Sequence, residues 1–260
     1  MPVYAANDAI IWSVGEADHS PAGFALAPDG YRQFLEKDFG YEDRYFLVGK
    51  SDIKTEFPYV LPGPADTWGG TWSTAGWRTH QLTMLFDLDS QPTSKGYSLV
   101  LDLADYAKTF LPLVKITVNS RDRKYQLTAK GHDLSRQRKP SQTEPVCDTL
   151  SITGDLSSAT PYSIVMPLDS NTLRKGGNEV TITVLEGSWI LFDRVALKGP
   201  GEVGVKNPEE AFIRDVYAAA YQIGDSQPLI VDVEHLSGTP EIRVELDGKK
   251  IFMGPEESMQ

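Results

Sequence analysis

Ser188-Trp189-Ile190-Leu191-Phe192-Asp193-Arg194-Val195-Ala196-Leu197 is the stretch on which the fold turns. Its apolar residues do not keep to one side: Trp189, Leu191 and Val195 fall on one face of an extended chain, and Ile190, Phe192 and Ala196 on the other. A strand that is apolar on both faces belongs in the middle of a covered sheet. Asp193 interrupts the run, and a carboxylate there has to be paired, hydrogen-bonded or bound to a cation.

Toward the N-terminus the pattern becomes an alternation of period two, the mark of half-buried strands. Val180, Ile182 and Val184 share a face, as do Ile164 and Met166, Tyr125 and Leu127, and Val114, Ile116 and Val118. So do Tyr97, Leu99, Leu101 and Leu103, and Leu82, Met84 and Phe86. Clusters of Gly, Pro, Asn, Asp and Ser separate the runs. These spacings predict a β-sandwich or jelly roll over residues 1–200. Helix is scarce. Asp29 to Phe39 predicts a short helix capped by Asp29 and closed by Gly40, and Leu168 to Lys175 a single turn. The polar segment Lys130 to Thr160 predicts a mobile loop.

Toward the C-terminus, Gly199 to Pro208 reads as a boundary. The pattern then restarts over residues 207–260, with strands at Phe212 to Ala220, Pro228 to Glu234 and Glu241 to Leu246. Asp247-Gly248 is a type I′ hairpin signal leading into Lys249 to Phe252. So few strands are marginal by themselves. This second module is therefore expected to be an incomplete fragment of a following domain, in a protein that continues.

The totals narrow the function classes. At 260 residues the chain is long enough for a sandwich and a smaller neighbour. No run approaches the roughly 20 apolar residues of a membrane-spanning helix. A net charge of −11 argues against nucleic acid, since phosphate contacts rely on Lys and Arg. The one cysteine, Cys147, has no thiol partner for a disulfide or a zinc site and reads as a loop or partly buried thiol. Met1 to Asp8 lack the basic start and apolar stretch of a signal peptide. The chain is then either cytoplasmic or an excised piece of an exported protein. The unfinished second module favours the latter, so the expected location is extracellular or periplasmic.

Ile11-Trp12-Ser13-Val14-Gly15-Glu16, followed by Pro21 and Gly23-Phe24, resembles the opening of the third, C-terminal domain of family 4 polysaccharide lyases, the rhamnogalacturonan lyases. Phe57-Pro58-Tyr59, Trp68-Gly69-Gly70-Thr71-Trp72 and Leu85-Phe86-Asp87-Leu88 follow in that domain's order. Gly177-Asn178-Glu179 and Gly187 to Asp193 resemble its closing strands. The sequence departs where the family has Asp-Gly-Thr-Pro and this chain has Asp18-His19-Ser20-Pro21, and again at the Lys130 to Thr160 insertion. The resemblance implies an all-β jelly-roll or galactose-binding-like sandwich similar to carbohydrate-binding modules, with the lyase chemistry on a separate domain. The tail from Asn207 loosely resembles β-segments that precede catalytic domains in large exported glycosidases of the α-mannosidase type.

A lyase needs a base and a cation or basic cluster opposite a uronate carboxylate, and no such cluster is evident. His19, His80, His132 and His235 are dispersed without a recurrent partner spacing. The densest functional hint is the aromatic, glycine-rich segment Tyr59 to Trp77. Sugars stack their C–H faces on rigid rings while polar groups take the hydroxyls. Trp68, Trp72 and Trp77, with Arg78 and His80 as polar companions, are therefore the candidate carbohydrate-binding residues; the alternative is that the tryptophans plug the end of the sandwich. The resemblance also marks Glu16 and Asp193 as positions for a structural calcium, which takes six to eight oxygens. The alternative for Asp193 is a hydrogen-bonded or Arg-paired carboxylate. Three functions are left open: a non-catalytic carbohydrate-binding or auxiliary module of a polysaccharide-degrading enzyme, whose partners are a glycan and an adjacent catalytic domain; a structural spacer in which the three tryptophans are buried; and an enzyme in its own right.

Overall fold

The computed structural model of the chain describes residues 9–37, 39, 45–70, 79–128, 150–169, 171–206, 211–235, 241–246 and 248–255. They divide into two units, Met1–Lys206 and Asn207–Gln260. In chain order the strands of the first unit are β1 (Ala9–Gly15), β2 (Tyr45–Leu47), β3 (Val60–Leu61), β4 (Gln81–Leu88), β5 (Tyr97–Tyr106) and β6 (Leu113–Val118). They continue with β7 (Arg121–Gln126), β8 (Tyr162–Leu168), β9 (Gly176–Glu186), β10 (Ile190–Gly199) and β11 (Val205–Lys206).

One sheet runs β1-β10-β5-β8, with β3 also on β10; the other runs β11-β4-β9-β6-β7, with β2 also on β4. All pairings are antiparallel except β2 with β4. Rings join the two layers. Trp12 of β1 meets Phe86 of β4 at 5.1 Å between centroids. Phe57 sits between Phe46 of β2 (5.2 Å) and Phe192 of β10 (5.0 Å). The core is therefore the space between two sheets, and the unit is a β-sandwich. Trp12 and Trp189 are both buried.

β10 lies between β1 and β5, as its two-sided apolar pattern requires. Its alternation is not continuous, however. Phe192 pairs with Leu103 and Arg194 with Asp102, so Asp193 is an extra residue in the ladder. The bulge resets the pleat, and Phe192, Val195 and Leu197 all stand opposite the Leu103, Leu101, Leu99 row. Val195 thus does not share a face with Trp189 and Leu191, as uninterrupted alternation predicts. A bulge also re-aims a side chain, and here that side chain is the Asp193 carboxylate.

Four further expectations are corrected. β4 and β5 are buried on both faces, with Thr83, Leu85 and Asp87 as covered as Leu82, Met84 and Phe86. Alternation in sequence marks residue type, and small or paired polar residues can also be buried. The helix expected over Asp29 to Phe39 is only a 3-10 turn, Gly30–Gln33, and Asp29 makes no side-chain cap. Two buried rings, Phe34 and Phe39, do not offset the cost of a longer helix. Leu168 to Lys175 is the end of β8 followed by a turn, without a helix. Of the loop expected over Lys130 to Thr160, residues 130–149, with Cys147 and His132, lie outside the described residues. Residues 150–160 form two 3-10 turns instead, and the first buries Ile152, whose carbonyl accepts from the Tyr59 hydroxyl at 2.5 Å.

A true helical turn, α1 (Ile53–Glu56), is present where none was expected. Asp52 accepts from the Lys54 N–H at 3.0 Å while Glu56 accepts from the Asp52 N–H at 2.8 Å, a reciprocal cap. After β10 the chain returns to its own sandwich. Glu202 accepts from the Thr93 and Ser94 backbone N–H groups at 2.8 Å each, from both hydroxyls, and from the Tyr97 hydroxyl at 2.6 Å. β11 then pairs with the end of β4.

The second unit contains two antiparallel hairpins, β12 (Ala211–Ala218) with β13 (Leu229–His235) and β14 (Glu241–Leu246) with β15 (Lys249–Pro255). Leu246 pairs with Lys249, and Gly248 has φ +74°, as the expected two-residue turn requires. No helix among the described residues is long and apolar enough to cross a membrane.

Candidate functional site

The tryptophan turn is built from its glycines and one carboxylate. Beyond β3 the chain runs Pro62-Gly63-Pro64-Ala65-Asp66 into a 3-10 turn at Thr67–Gly69. Gly63 lies against the β9–β10 turn, so that a Cβ there would come 2.5 Å from the Gly187 carbonyl oxygen. The Ala65 N–H donates to the same oxygen at 2.9 Å. Asp66, buried, closes the arrangement. One oxygen accepts from the Gly63 N–H at 2.8 Å, the other from the Ser188 hydroxyl at 2.5 Å, and the Trp68 side chain bonds to it as well. Burial nevertheless outweighs these bonds and pushes the Asp66 carboxyl up to about 6.

Trp68 is half-buried, with its ring set edgewise to Tyr31 at 5.1 Å and to Phe34 at 6.2 Å. His80 is buried beneath it, edgewise to Phe34 at 5.1 Å, and its Nε2 is hydrogen-bonded to the Gly69 carbonyl. Of the five candidate sugar contacts, the structure brings Trp68 and His80 into one cluster. Both are tied to the turn there, Trp68 half-buried and His80 buried. Trp72, Trp77 and Arg78 fall outside the described residues. Asp66 and Ser188, which fix the turn, were not among the sequence candidates. The available signal was Asp66 directly before Thr-Trp-Gly-Gly and after Pro-Gly-Pro, a side chain placed to bond backbone N–H groups of a tight turn.

Asp193 is almost wholly buried at the bulge of β10 and faces the loop that follows β1. Its Oδ1 accepts from the Asp18 and Ser20 N–H groups, both at 3.2 Å, and His19 Nδ1 is 3.8 Å from Oδ2. His19 has φ +63°, which turns the loop's N–H groups toward the carboxylate. Burial raises the Asp193 carboxyl above the usual range, the Ser20 and Asp18 N–H groups pull it back, and the Asp18 charge raises it further. Glu16 is exposed on the same loop. A calcium site needs converging oxygens, whereas the groups aimed at Asp193 are N–H donors and an imidazole. Among the described residues, no group of three or more His, Cys, Asp or Glu side chains is placed to hold a metal ion. The donor set therefore does not fit a calcium ion, and the hydrogen-bonded carboxylate is the state the geometry describes.

Two other buried carboxylates are also committed. Asp102 accepts both Arg194 Nε (2.9 Å) and Nη2 (2.7 Å), and the Ser163 hydroxyl at 2.5 Å. Asp105 accepts from Lys108 Nζ at 2.9 Å and from the Thr160 N–H at 3.0 Å, and Lys108 also donates to the Ser158 carbonyl at 2.9 Å. Each of these acids is occupied in holding the fold.

The model of polysaccharide lyase family 4, domain III, described as carbohydrate-binding-module-like, matches residues 10–197. That span coincides with the sandwich. Among solved structures the chain is similar to a family 35 carbohydrate binding module from an environmental isolate, at 10% identity and a TM-score of 0.29, covering 50% of this chain and 70% of that one. It is also similar to a family 115 4-O-methyl-α-glucuronidase with specificity for decorated arabinogalactans, at 13% identity and a TM-score of 0.26, covering 46% of this chain and 13% of that one. No curated protein matches the sequence.

Proposed function

Because the chain belongs, over residues 10–197, to the carbohydrate-binding-module-like domain III family of polysaccharide lyase family 4, we propose that it is a non-catalytic glycan-binding or auxiliary module of a polysaccharide-degrading enzyme. The observation that carries this reading is that the matched span is the sandwich itself. The commitment of Asp66, Asp102, Asp105 and Asp193 to internal donors supports it, since a lyase or hydrolase needs carboxylates or bases turned toward a substrate. The glycan's catalytic partner is then an adjacent domain, and the module works outside the cytoplasm, where polysaccharides are met.

The test is retention of the full chain in affinity gels containing rhamnogalacturonan or galactomannan, beside Trp72→Ala. Binding by the unsubstituted chain and its loss in a folded variant support the module; no retention on either polysaccharide refutes it. A second reading, a spacer that contacts no sugar, has one observation in its favour: Trp68 is half-buried and tied to Asp66, as a ring that plugs the sandwich end would be.

A further inference from the structure

Phe110 is the one aromatic ring among the exposed large apolar side chains described in the sandwich unit, and at 59% exposure it is more open than Ile10, Leu35 or Leu150. Every other described phenylalanine whose burial is given is in the core. A single exposed ring needs no explanation by itself. What sets this one apart is that its backbone is clamped. The Ser188 N–H donates to the Phe110 carbonyl at 2.9 Å. Gly187, at φ +82°, comes so close that a Cβ there would sit 2.7 Å from the same oxygen and 2.4 Å from the Leu111 oxygen. Two residues before it, Lys108 is tied to Asp105 and Ser158. The loop is rigid at the position where its ring is left in solvent.

Ser188 also joins this loop to the tryptophan turn, because its hydroxyl donates to Asp66 while its N–H holds Phe110. The two aromatic-bearing loops thus share one residue as their common support and stand at the same end of the sandwich. Glu186, exposed, adjoins the clamp in the chain and carries a carboxylate that can accept from sugar hydroxyls.

Resting on the reading above, we infer that Phe110 is a sugar-stacking residue of this module, a platform for the apolar C–H face of one pyranose unit of a glycan that runs across the end of the sandwich. Among the described residues of the sandwich unit Phe110 is the one exposed aromatic ring, and the apolar face of a pyranose matches a single ring. The fixed backbone also removes most of the ordering cost that a mobile loop would charge against binding.

Affinity gels with the full chain, using rhamnogalacturonan and galactomannan as probes, test this with Phe110→Ala, Phe110→Leu and Phe110→Trp. Loss of one stacking contact predicts binding about tenfold weaker in both Phe110→Ala and Phe110→Leu, with affinity kept in Phe110→Trp. The ring is outside the core, so the thermal midpoints should match that of the unsubstituted chain. Phe110→Leu keeps apolar bulk and serves if the alanine variant folds poorly. Unchanged binding in Phe110→Leu overturns the assignment alone, with the module reading intact if Trp72→Ala still loses affinity. No binding by the unsubstituted chain to either polysaccharide overturns both.

Discussion

Replacing Asp66 with asparagine should change stability by an amount that depends on pH. Burial lifts this carboxyl from 3.8 to about 6 in the folded chain. Well below 3.8 it is protonated in folded and unfolded chains alike and contributes no difference. Between 3.8 and about 6 the unfolded chain has released the proton and the folded chain still binds it, so stability falls as pH rises. Above about 6 both forms are ionised, and a difference of about two pKa units leaves the folded state on the order of 3 kcal/mol worse than in acid. Asparagine cannot ionise. Its carbonyl oxygen can still accept the Gly63 N–H, and its amide can donate to the Ser188 oxygen. Urea unfolding of both proteins at about pH 4, 5, 6 and 7.5 measures the difference, with the slope m as a check that the transition is unchanged. Asp66→Asn should gain on the unsubstituted protein by on the order of 3 kcal/mol across that range. The raised carboxyl of Asp193 is common to both and cancels in the difference. Parallel stability curves, or a variant that loses ground as pH rises, would refute the reasoning, because the hydrogen bonds to the carboxylate would then outweigh its desolvation.

Three further outcomes are expected. Lys108→Met leaves Asp105 buried without its cation and should cost about 3–5 kcal/mol in urea unfolding, while adding Asp105→Leu should recover most of that loss. Glu202 titrates well below the usual carboxylate range, at about 2, chiefly through the Tyr97 hydroxyl and the Ser94 N–H. Its contribution is therefore complete above 4.5 and lost only as pH falls through about 2, and Glu202→Gln should speed hydrogen exchange at the Thr93 and Ser94 amides at mildly acidic pH. Calcium and chelator should leave the thermal midpoint unchanged, since N–H donors surround Asp193; a rise of several degrees with calcium would return Glu16 and Asp193 to the list of ligands.

The sandwich was legible because its signals are local. Val180, Ile182 and Val184, or Leu99, Leu101 and Leu103, declare a strand by their own spacing, and the two-sided stretch at Ile190–Leu197 declares a central one. The bulge at Asp193 was not legible, because it is a mismatch between two strands far apart in the chain. The site was less readable for the same reason. Trp68 and His80 were visible as residue types, but their use depends on Phe34, Gly69 and Asp66, and Asp66 depends in turn on a serine more than a hundred positions away. Phe110 was not singled out in the sequence, because its exposure depends on how the fold around it closes.

The short β11 strand bears on how the sandwich takes a mechanical load. Tension on the chain beyond Lys206 first meets two residues paired with the end of β4, and then the five bonds gathered by Glu202, before it reaches β10 in the middle of its sheet. Between them Gly204 exchanges two bonds with Asp89 and Val203 is buried in the core, so opening this segment withdraws one apolar side chain, while the Trp12–Phe86 contact between the layers is made by other strands. A pull from that side should therefore lengthen the exit segment in a small, reversible step while the sandwich stays shut.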